Sequence, residues 1–166
     1  MFFNLGLPRV AVSGKRIENR IEPGTRLIFT IGYEGRNLDD FSKELAANGI
    51  KRLIDVREIA WSRKPGFSSK RLSEGLSGSG IEYMHLRALG SPKALREELK
   101  QTDDFDKFAD AYKMYLGAQK ESLDLLSNCA IEKPTAIMCF ERDPMRCHRS
   151  VIASELGELG FAIRDL

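Results

Sequence analysis

The sequence predicts one three-layer α/β domain built on a mostly parallel, five-stranded sheet. Short apolar segments alternate along the chain with segments whose apolar residues recur at helical spacing, which is typical of this class. The first strand, helix and second strand together have the length of a βαβ crossover, so these two strands are expected to be parallel. A chain of 166 residues, of which 42% are hydrophobic, can bury one substantial core.

The first strand, helix and strand open the predicted domain. Leu27 to Ile31 is an apolar run that ends at Gly32, as expected for a buried strand. Asn37 is the expected N-cap of a helix that closes at Asn48-Gly49. The second strand is predicted over Ile50 to Val56.

A short helix and a third strand follow. Ser68 is predicted to cap the helix, and Ile81 to Leu86 is predicted to form the strand. The strand alternates between apolar and polar residues, which favours a position near an edge of the sheet. From Ser91 to Ile131 the periodicity is helical, so a long helical insert separates strands three and four.

The last part of the chain returns to the sheet. Thr135 to Phe140 is predicted to be the fourth strand, a helix opens at residues 147–150, and Phe161 to Leu166 is a short last strand. Right-handed crossovers then give the strand order 3-2-1-4-5. The predicted domain spans residues 26–166, and residues 1–25 are expected to form an N-terminal arm.

Composition argues against several classes of protein. The chain has 26 Lys and Arg against 24 Asp and Glu, a net charge of +2, which is too balanced to identify a nucleic-acid or membrane binder from bulk charge. No apolar run approaches the roughly 20 residues that a spanning helix needs, and the first residues do not form a secretory signal. We therefore expect no membrane association and a cytoplasmic location.

The cysteines give no standard metal or disulfide pattern. Cys129, Cys139 and Cys147 fit neither a disulfide framework nor zinc-ribbon spacing, so no cofactor and no metal are expected. Reduced thiols fit the cytoplasm. Metal binding by Cys139, Cys147, His148 and His85 is the alternative, although this spacing matches no standard site.

The predicted strand order places a ligand site where strands one and four end, because open α/β sheets bind ligands at the topological switch point. Cys147 lies at a helix N-terminus beside basic residues and is a candidate nucleophile, and His148 is a candidate general acid or base. Glu34 and Glu141 leave the two strands and could form a carboxylate pair for acid–base work. The alternatives are a cysteine that only packs a turn and carboxylates that neutralise nearby arginines.

The same rim carries candidate anion-binding residues. They are Tyr33, Asp55, Arg57, Arg142, Arg146 and Arg149. Arginine binds phosphate or carboxylate in a bidentate manner, and unpaired amides at a helix N-terminus favour an anion. For Asp55 and Arg57, an internal ion pair is the alternative.

One loop has the composition of a nucleic-acid contact. It combines an aromatic residue with positive charge at Trp61, Arg63, Lys64, Lys70 and Arg71. Aromatic side chains stack on bases, and cations bind phosphates. A solvated loop held down by its aromatic residues would have the same composition.

Five motifs in order resemble a known family. They are Thr30 to Gly35, Leu53 to Arg57, Ser62 to Phe67, Gly80 to Tyr83 with Leu89-Gly90, and Cys139 to Ser150. Together they resemble the widespread bacterial family catalogued as domain of unknown function 488, from about Arg26 to the C-terminus. The resemblance implies a Rossmann-like domain and picks out these motif positions: Tyr33, Glu34, Asp55, Arg57, Ser62, Phe67, Glu141, Asp143, Cys147, His148 and Arg149. It implies no substrate or cofactor.

The leading hypothesis is an enzyme acting on a phosphate-bearing substrate, either a nucleotide or a nucleic-acid end, at the carboxyl-end rim of the sheet. The reaction class is open, and so is the oligomeric state. One alternative is a non-catalytic nucleic-acid-binding module that uses the basic loop. Another is a ligand sensor that binds at the same rim without turnover.

Overall fold

Five parallel strands form one sheet in the computed structural model, which describes residues 24–166. The strands are β1 (Arg26–Gly32), β2 (Arg52–Asp55), β3 (Glu82–His85), β4 (Thr135–Cys139) and β5 (Phe161–Asp165). Their positions agree with the five predicted strands, and β3 is an edge strand as predicted. The predicted N-terminal arm, residues 1–25, lies almost entirely outside the described residues.

Six α-helices connect the strands within the described part of the chain. They are α1 (Leu38–Ala47), α2 (Ser69–Ser77), α3 (Lys93–Thr102), α4 (Phe105–Gly117), α5 (Lys120–Glu132) and α6 (Arg149–Glu158). The Asn37 side chain caps α1 by accepting from the Asp40 amide, as predicted. The Ser68 hydroxyl makes no cap bond and instead donates to the Ser62 carbonyl. No helix in residues 24–166 is both long and apolar enough to cross a membrane.

The strand order is β3-β2-β4-β1-β5, so the predicted order 3-2-1-4-5 is wrong in the positions of β1 and β4. Strand β4 inserts between β1 and β2: Ile137 pairs with Thr30 on one side and Ile54 on the other. All five residues of β4 are buried, as expected of the central strand. Crossover handedness does not determine whether a connection skips one strand, and the β1–α1–β2 crossover skips one.

Each face of the sheet is covered by helices, which gives the predicted Rossmann-like three-layer architecture. Helices α1 and α2 bury Phe41, Leu45 and Leu72 against one face. Helices α4, α5 and α6 pack against the other face, where Tyr112 and Ile152 are buried. Helix α3 has no fully buried residue and packs on α4 at the edge of this second layer.

The chain continues alongside itself beyond the carboxyl ends of β1 and β4. The Tyr33 amide donates to the Cys139 carbonyl at 3.3 Å, and the Glu34 amide donates to the Phe140 carbonyl at 2.9 Å. A Cβ atom at Gly32 would lie 1.9 Å from the Glu141 carbonyl oxygen, which is far inside van der Waals contact. Gly32 therefore permits a close approach of two chain segments that brings Glu34 and Glu141 together.

We expect Gly32→Ala to lower the free energy of unfolding by at least about 2 kcal/mol, because the added methyl group must displace the backbone of Glu141. Chemical denaturation with circular dichroism measures the change. Gly157→Ala is the matched control. Gly157 lies in α6 with open space around its Cβ position, so this variant should gain about 0.5–1 kcal/mol from the lower helix cost of alanine. Equal effects of the two substitutions would contradict the steric argument.

Candidate active site at the carboxyl ends of β1 and β4

A cavity of about 350 Å³ lies at the rim where β1 and β4 end. Its wall includes all four candidate catalytic residues: Glu34, Glu141, Cys147 and His148. Arg146 is the one predicted anion-binding residue among the lining residues. The fold therefore brings together turns that are distant in sequence, although none of these contacts tests catalysis.

Two thiols and an imidazole meet beside the cavity, whose wall includes Cys147 and His148. The Sγ atoms of Cys139 and Cys147 and a nitrogen of His148 all lie within 4.8 Å of one another, and all three residues are buried. Cys139 ends β4, whereas Cys147 precedes α6 in an extended conformation with φ −133° and ψ 143°. Because Cys147 is outside the helix, its side chain and that of His148 can point to the same place.

The imidazole of His148 has a fixed orientation. Its Nε2 atom lies 2.7 Å from the Val56 carbonyl oxygen, which can only accept a hydrogen bond. Nε2 therefore carries the proton in the neutral ring, and the Nδ1 lone pair faces the two sulfurs at 3.6 Å and 3.7 Å. The ring of Tyr112 packs edge-on against the imidazole, with centroids 5.3 Å apart.

The two carboxylates are held differently. The Cys139 thiol donates to Glu141 Oε2 at 3.0 Å, so Glu141 is tied to the thiol cluster. Glu34 is exposed, and its Oε2 accepts from the Arg142 amide at 3.0 Å. Glu34 therefore orders the turn after β4, while Glu141 is the carboxylate next to the thiols.

The thiol cluster shifts the ionisation of its members. Burial, with the neighbouring Cys139, raises the pKa of Glu141 to about 7. A hydrogen bond from Cys147 lowers the pKa of Cys139, whereas burial raises the pKa of Cys147. Burial opposes ionisation of His148, but its interaction with Cys139 outweighs burial and raises the pKa of the imidazole. Cys139 is therefore the more acidic thiol, whereas the sequence pointed to Cys147.

Two backbone amides in the first turn of α6 donate hydrogen bonds to Cys147. The Arg149 amide donates to Cys147 Sγ at 3.4 Å, and the Ser150 amide donates to the Cys147 carbonyl at 2.9 Å. The Arg149 side chain is 1% exposed, and its guanidinium donates to the carbonyls of Glu141 at 2.9 Å and Arg142 at 3.5 Å. Arg149 therefore shapes the loop between β4 and α6 and does not line the cavity; its predicted anion contact stays a prediction.

Three polar residues of the cavity wall were not predicted from the sequence. Ser91 precedes α3, and Arg96 and Lys100 lie on α3. The Ser91 hydroxyl is buried and has no hydrogen-bond partner among residues 24–166. Arg96 pairs with Glu58 at 2.7 Å, whereas Lys100 forms no ion pair within the described chain. Their contribution depends on how the helical insert packs, for which the sequence carries no signal.

Asp55 and Arg57 form a buried network on the same rim. The guanidinium donates Nη2–H to Asp55 Oδ2 at 2.6 Å and Nη1–H to the Tyr33 hydroxyl at 2.9 Å. The Tyr83 hydroxyl donates to Asp55 Oδ2 at 2.7 Å, and Tyr33 stacks on Phe67 with centroids 4.4 Å apart. This is the internal ion pair considered as the alternative. None of these residues lines the cavity. Anion binding by Tyr33, Asp55 and Arg57 stays a prediction.

The predicted basic loop lies at the same end of the sheet, on the other face, and its last two named residues, Lys70 and Arg71, belong to the first turn of α2. Trp61 is 63% exposed, and Arg63, Lys70 and Arg71 are also exposed. Lys64 is half-buried, with its ammonium 5.9 Å from the centroid of Phe67. The loop therefore presents the aromatic and cationic groups that its composition predicted, without a contact that tests nucleic-acid binding.

Of the four residues considered as alternative metal ligands, the fold brings three together. His85 lies apart from the cluster: its Nε2 atom is 2.7 Å from the Arg57 carbonyl oxygen. Cys129 is buried on α5 and is not part of the cluster. Cys139 falls inside the predicted strand Thr135 to Phe140, whereas in the structure it is the last residue of β4. The last residue of a parallel strand is a common site position.

We expect Asp55→Ala to lower the free energy of unfolding by about 3–5 kcal/mol, because it leaves the Arg57 guanidinium buried without its countercharge. Thermal and urea unfolding measure the loss. Lys43→Ala is the control: it removes the Lys43–Asp39 pair, whose side chains are 71% and 74% exposed, and should leave stability nearly unchanged. A small effect at Asp55 would show that the network is not structural.

Comparison with known proteins gives one family. The model of the family described as "Domain of unknown function DUF488" matches residues 37–156, which is well over half of the chain. Neither the comparison with curated proteins nor the comparison with solved structures gave a match. The match contains the end of β4, the loop after it and the start of α6, where the candidate site lies. The chain belongs to the family of domain of unknown function 488, as its motifs predict.

Proposed function

We propose that the chain is an enzyme that acts on a phosphate-bearing substrate, either a nucleotide or a nucleic-acid end, bound in the cavity. The observation that carries the proposal is the composition of one wall. Groups that can transfer protons, Glu141 and Glu34, share it with cations that can hold an anion, Lys100 and Arg146.

The size of the cavity limits the ligand. A volume of about 350 Å³ is at the small end of the range for small-molecule sites, which is roughly 300–1,000 Å³. Such a space takes a compact ligand or the terminal unit of a longer chain, and it excludes a duplex. The cavity lies where the rim of the sheet is expected to bind ligands.

The polar groups of the wall suit a phosphate. Arg146 can present a planar fork to phosphate oxygens, and Lys100 offers a mobile point charge. The unpartnered hydroxyl of Ser91 adds a donor that a ligand oxygen can satisfy. Arg146 also pairs with Asp103, so a ligand would compete with that exposed carboxylate.

In this proposal, a carboxylate and not the imidazole transfers the proton. The imidazole of His148 faces the Val56 carbonyl on one side and the two sulfurs on the other, so it has no free nitrogen for a substrate. Glu141 lines the cavity next to the thiols and is the group we assign to proton transfer. In this scheme His148 orders the floor of the cavity, and Cys147 forms its wall.

The test is turnover of a panel of nucleoside mono-, di- and triphosphates and 5′-phosphorylated oligonucleotides, followed by phosphorus NMR. We expect Glu141→Gln to lower kcat by about 10²–10⁴-fold while the substrate still binds. Lys100→Ala should raise KM roughly three- to tenfold, since an exposed cation is partly screened by salt. Lys51→Ala, which changes an exposed lysine at the opposite end of the sheet, is the matched control. Failure of every phosphate-bearing compound to bind or react would refute the proposal.

The exposed basic loop favours a second function, a nucleic-acid-binding surface. Trp61 is the one tryptophan in the sequence and is 63% exposed, so its fluorescence reports directly on this loop. Base stacking on an aromatic side chain and phosphate contacts by neighbouring cations are the physical basis of single-strand binding.

Under this second hypothesis, a single-stranded oligonucleotide should quench Trp61 fluorescence, and the affinity should fall steeply with salt. Trp61→Ala should weaken binding about five- to hundredfold in a filter or anisotropy assay. Arg63→Ala should reduce the salt slope by about 0.7. Lys51→Ala, at the opposite end of the sheet, should change neither quantity. Fluorescence that is unaffected by oligonucleotide at low salt would rule out this surface.

A further inference from the structure

We propose that Cys139, Cys147 and His148 bind one zinc ion. Their three ligand atoms lie within 4.8 Å of one another, and Cys147 and His148 line the cavity. The inference goes beyond the proposed function and does not depend on the substrate, because metal binding can be measured by itself.

The observed spacing fits a tetrahedral site. With Zn–S of about 2.3 Å and Zn–N of about 2.0–2.1 Å, tetrahedral geometry places sulfur and nitrogen ligands about 3.5–3.6 Å apart. The His148 Nδ1 atom lies 3.6 Å from Cys139 Sγ and 3.7 Å from Cys147 Sγ. Both sulfur–nitrogen distances therefore already suit the ion, and the two sulfurs lie within 4.8 Å of each other.

The imidazole is oriented as a ligand. Its Nε2–H donates to the Val56 carbonyl at 2.7 Å, which leaves the Nδ1 lone pair directed at the sulfurs. Metal-binding histidines usually hold their second nitrogen in this way, and the bond fixes both tautomer and ring rotation. The edge-on contact with Tyr112 restrains the ring further.

The sulfurs also have the surroundings of metal ligands. The Arg149 amide donates to Cys147 Sγ at 3.4 Å, a bond that stabilises a thiolate. Two thiolates neutralise the two positive charges of Zn²⁺, so the buried site carries no net charge that would need a further partner. Thiolate and imidazole ligands select zinc over magnesium or calcium, which prefer oxygen.

The site leaves one coordination position open. Three protein ligands and a free fourth position are typical of catalytic zinc, whereas structural zinc has four protein ligands. Cys147, His148 and Glu141 all line the cavity, so the open position faces it. We assign that position to water, with the Glu141 carboxylate beside it as a hydrogen-bond acceptor. The metal would then supply the cavity with a Lewis acid.

The experiment uses the full chain, reduced and stripped of metal, and titrates Zn²⁺ against a chromophoric chelator. We expect one zinc per chain. X-ray absorption should show two sulfurs at about 2.3 Å and nitrogen or oxygen at about 2.0–2.1 Å. Outer partners of zinc ligands contribute about 10–100-fold to affinity, so Cys139→Ala and Cys147→Ala should each lose more than about 100-fold. Glu141→Gln should still bind zinc.

Cys129→Ala is the matched control, because it removes a buried cysteine outside the cluster and should keep full zinc binding. If the reduced, folded wild-type chain binds no zinc, or if fewer than two sulfurs coordinate the ion, the proposal is wrong, whether or not the variants fold. A Cys139–Cys147 disulfide that forms equally fast with and without Zn²⁺ would overturn it too. Zinc binding without turnover of any phosphate-bearing compound would leave this inference intact and remove the proposed function.

Discussion

The backbone contact between Gly32 and Glu141 is the constraint on which the site depends. Without a side chain at residue 32, the chain after β1 lies directly against the chain after β4. The contact fixes where β4 ends and turns, and so it sets the position of Cys139 relative to Cys147. Glu34 then caps the Arg142 amide, and Arg149 holds two carbonyls of the same loop. The thiol cluster is therefore a product of backbone packing and not of local sequence spacing.

The two ends of the sheet differ in whether their buried polar groups have hydrogen-bond partners. Near the amino ends, Arg52 is paired with Glu82 and Glu132 and also donates to the Cys129 carbonyl, so its charge is fully used inside the fold. At the carboxyl ends, the Ser91 hydroxyl and the Arg149 Nε remain without partners among residues 24–166. Buried polar groups that lack partners are costly, and they concentrate where a protein works on a ligand. The contrast supports a functional carboxyl end and a structural amino end.

The sequence predicted elements better than arrangement, and the reasons are physical. An apolar run such as Thr135 to Phe140 shows that a strand is buried, but not which strands it separates, so the positions of β1 and β4 were wrong. The placement of Glu34, Glu141, Cys147 and His148 on one cavity followed from the rule for strand ends. Ser91 and Lys100 reach the cavity only through the packing of α3, a long-range contact that no local pattern encodes.

The proposed metal site and the proposed anion site are compatible because the positive charge that attracts the anion does not come from the metal cluster. A zinc ion held by two thiolates and a neutral imidazole has no net charge, so it would not by itself draw a phosphate into the cavity. Attraction would come from Lys100 and Arg146, cations of the wall that are not members of the thiol cluster. The metal would instead act as a Lewis acid on the one ligand atom that occupies its open coordination position. Binding and activation are thereby assigned to separate residues, and variants of one set need not disturb the other.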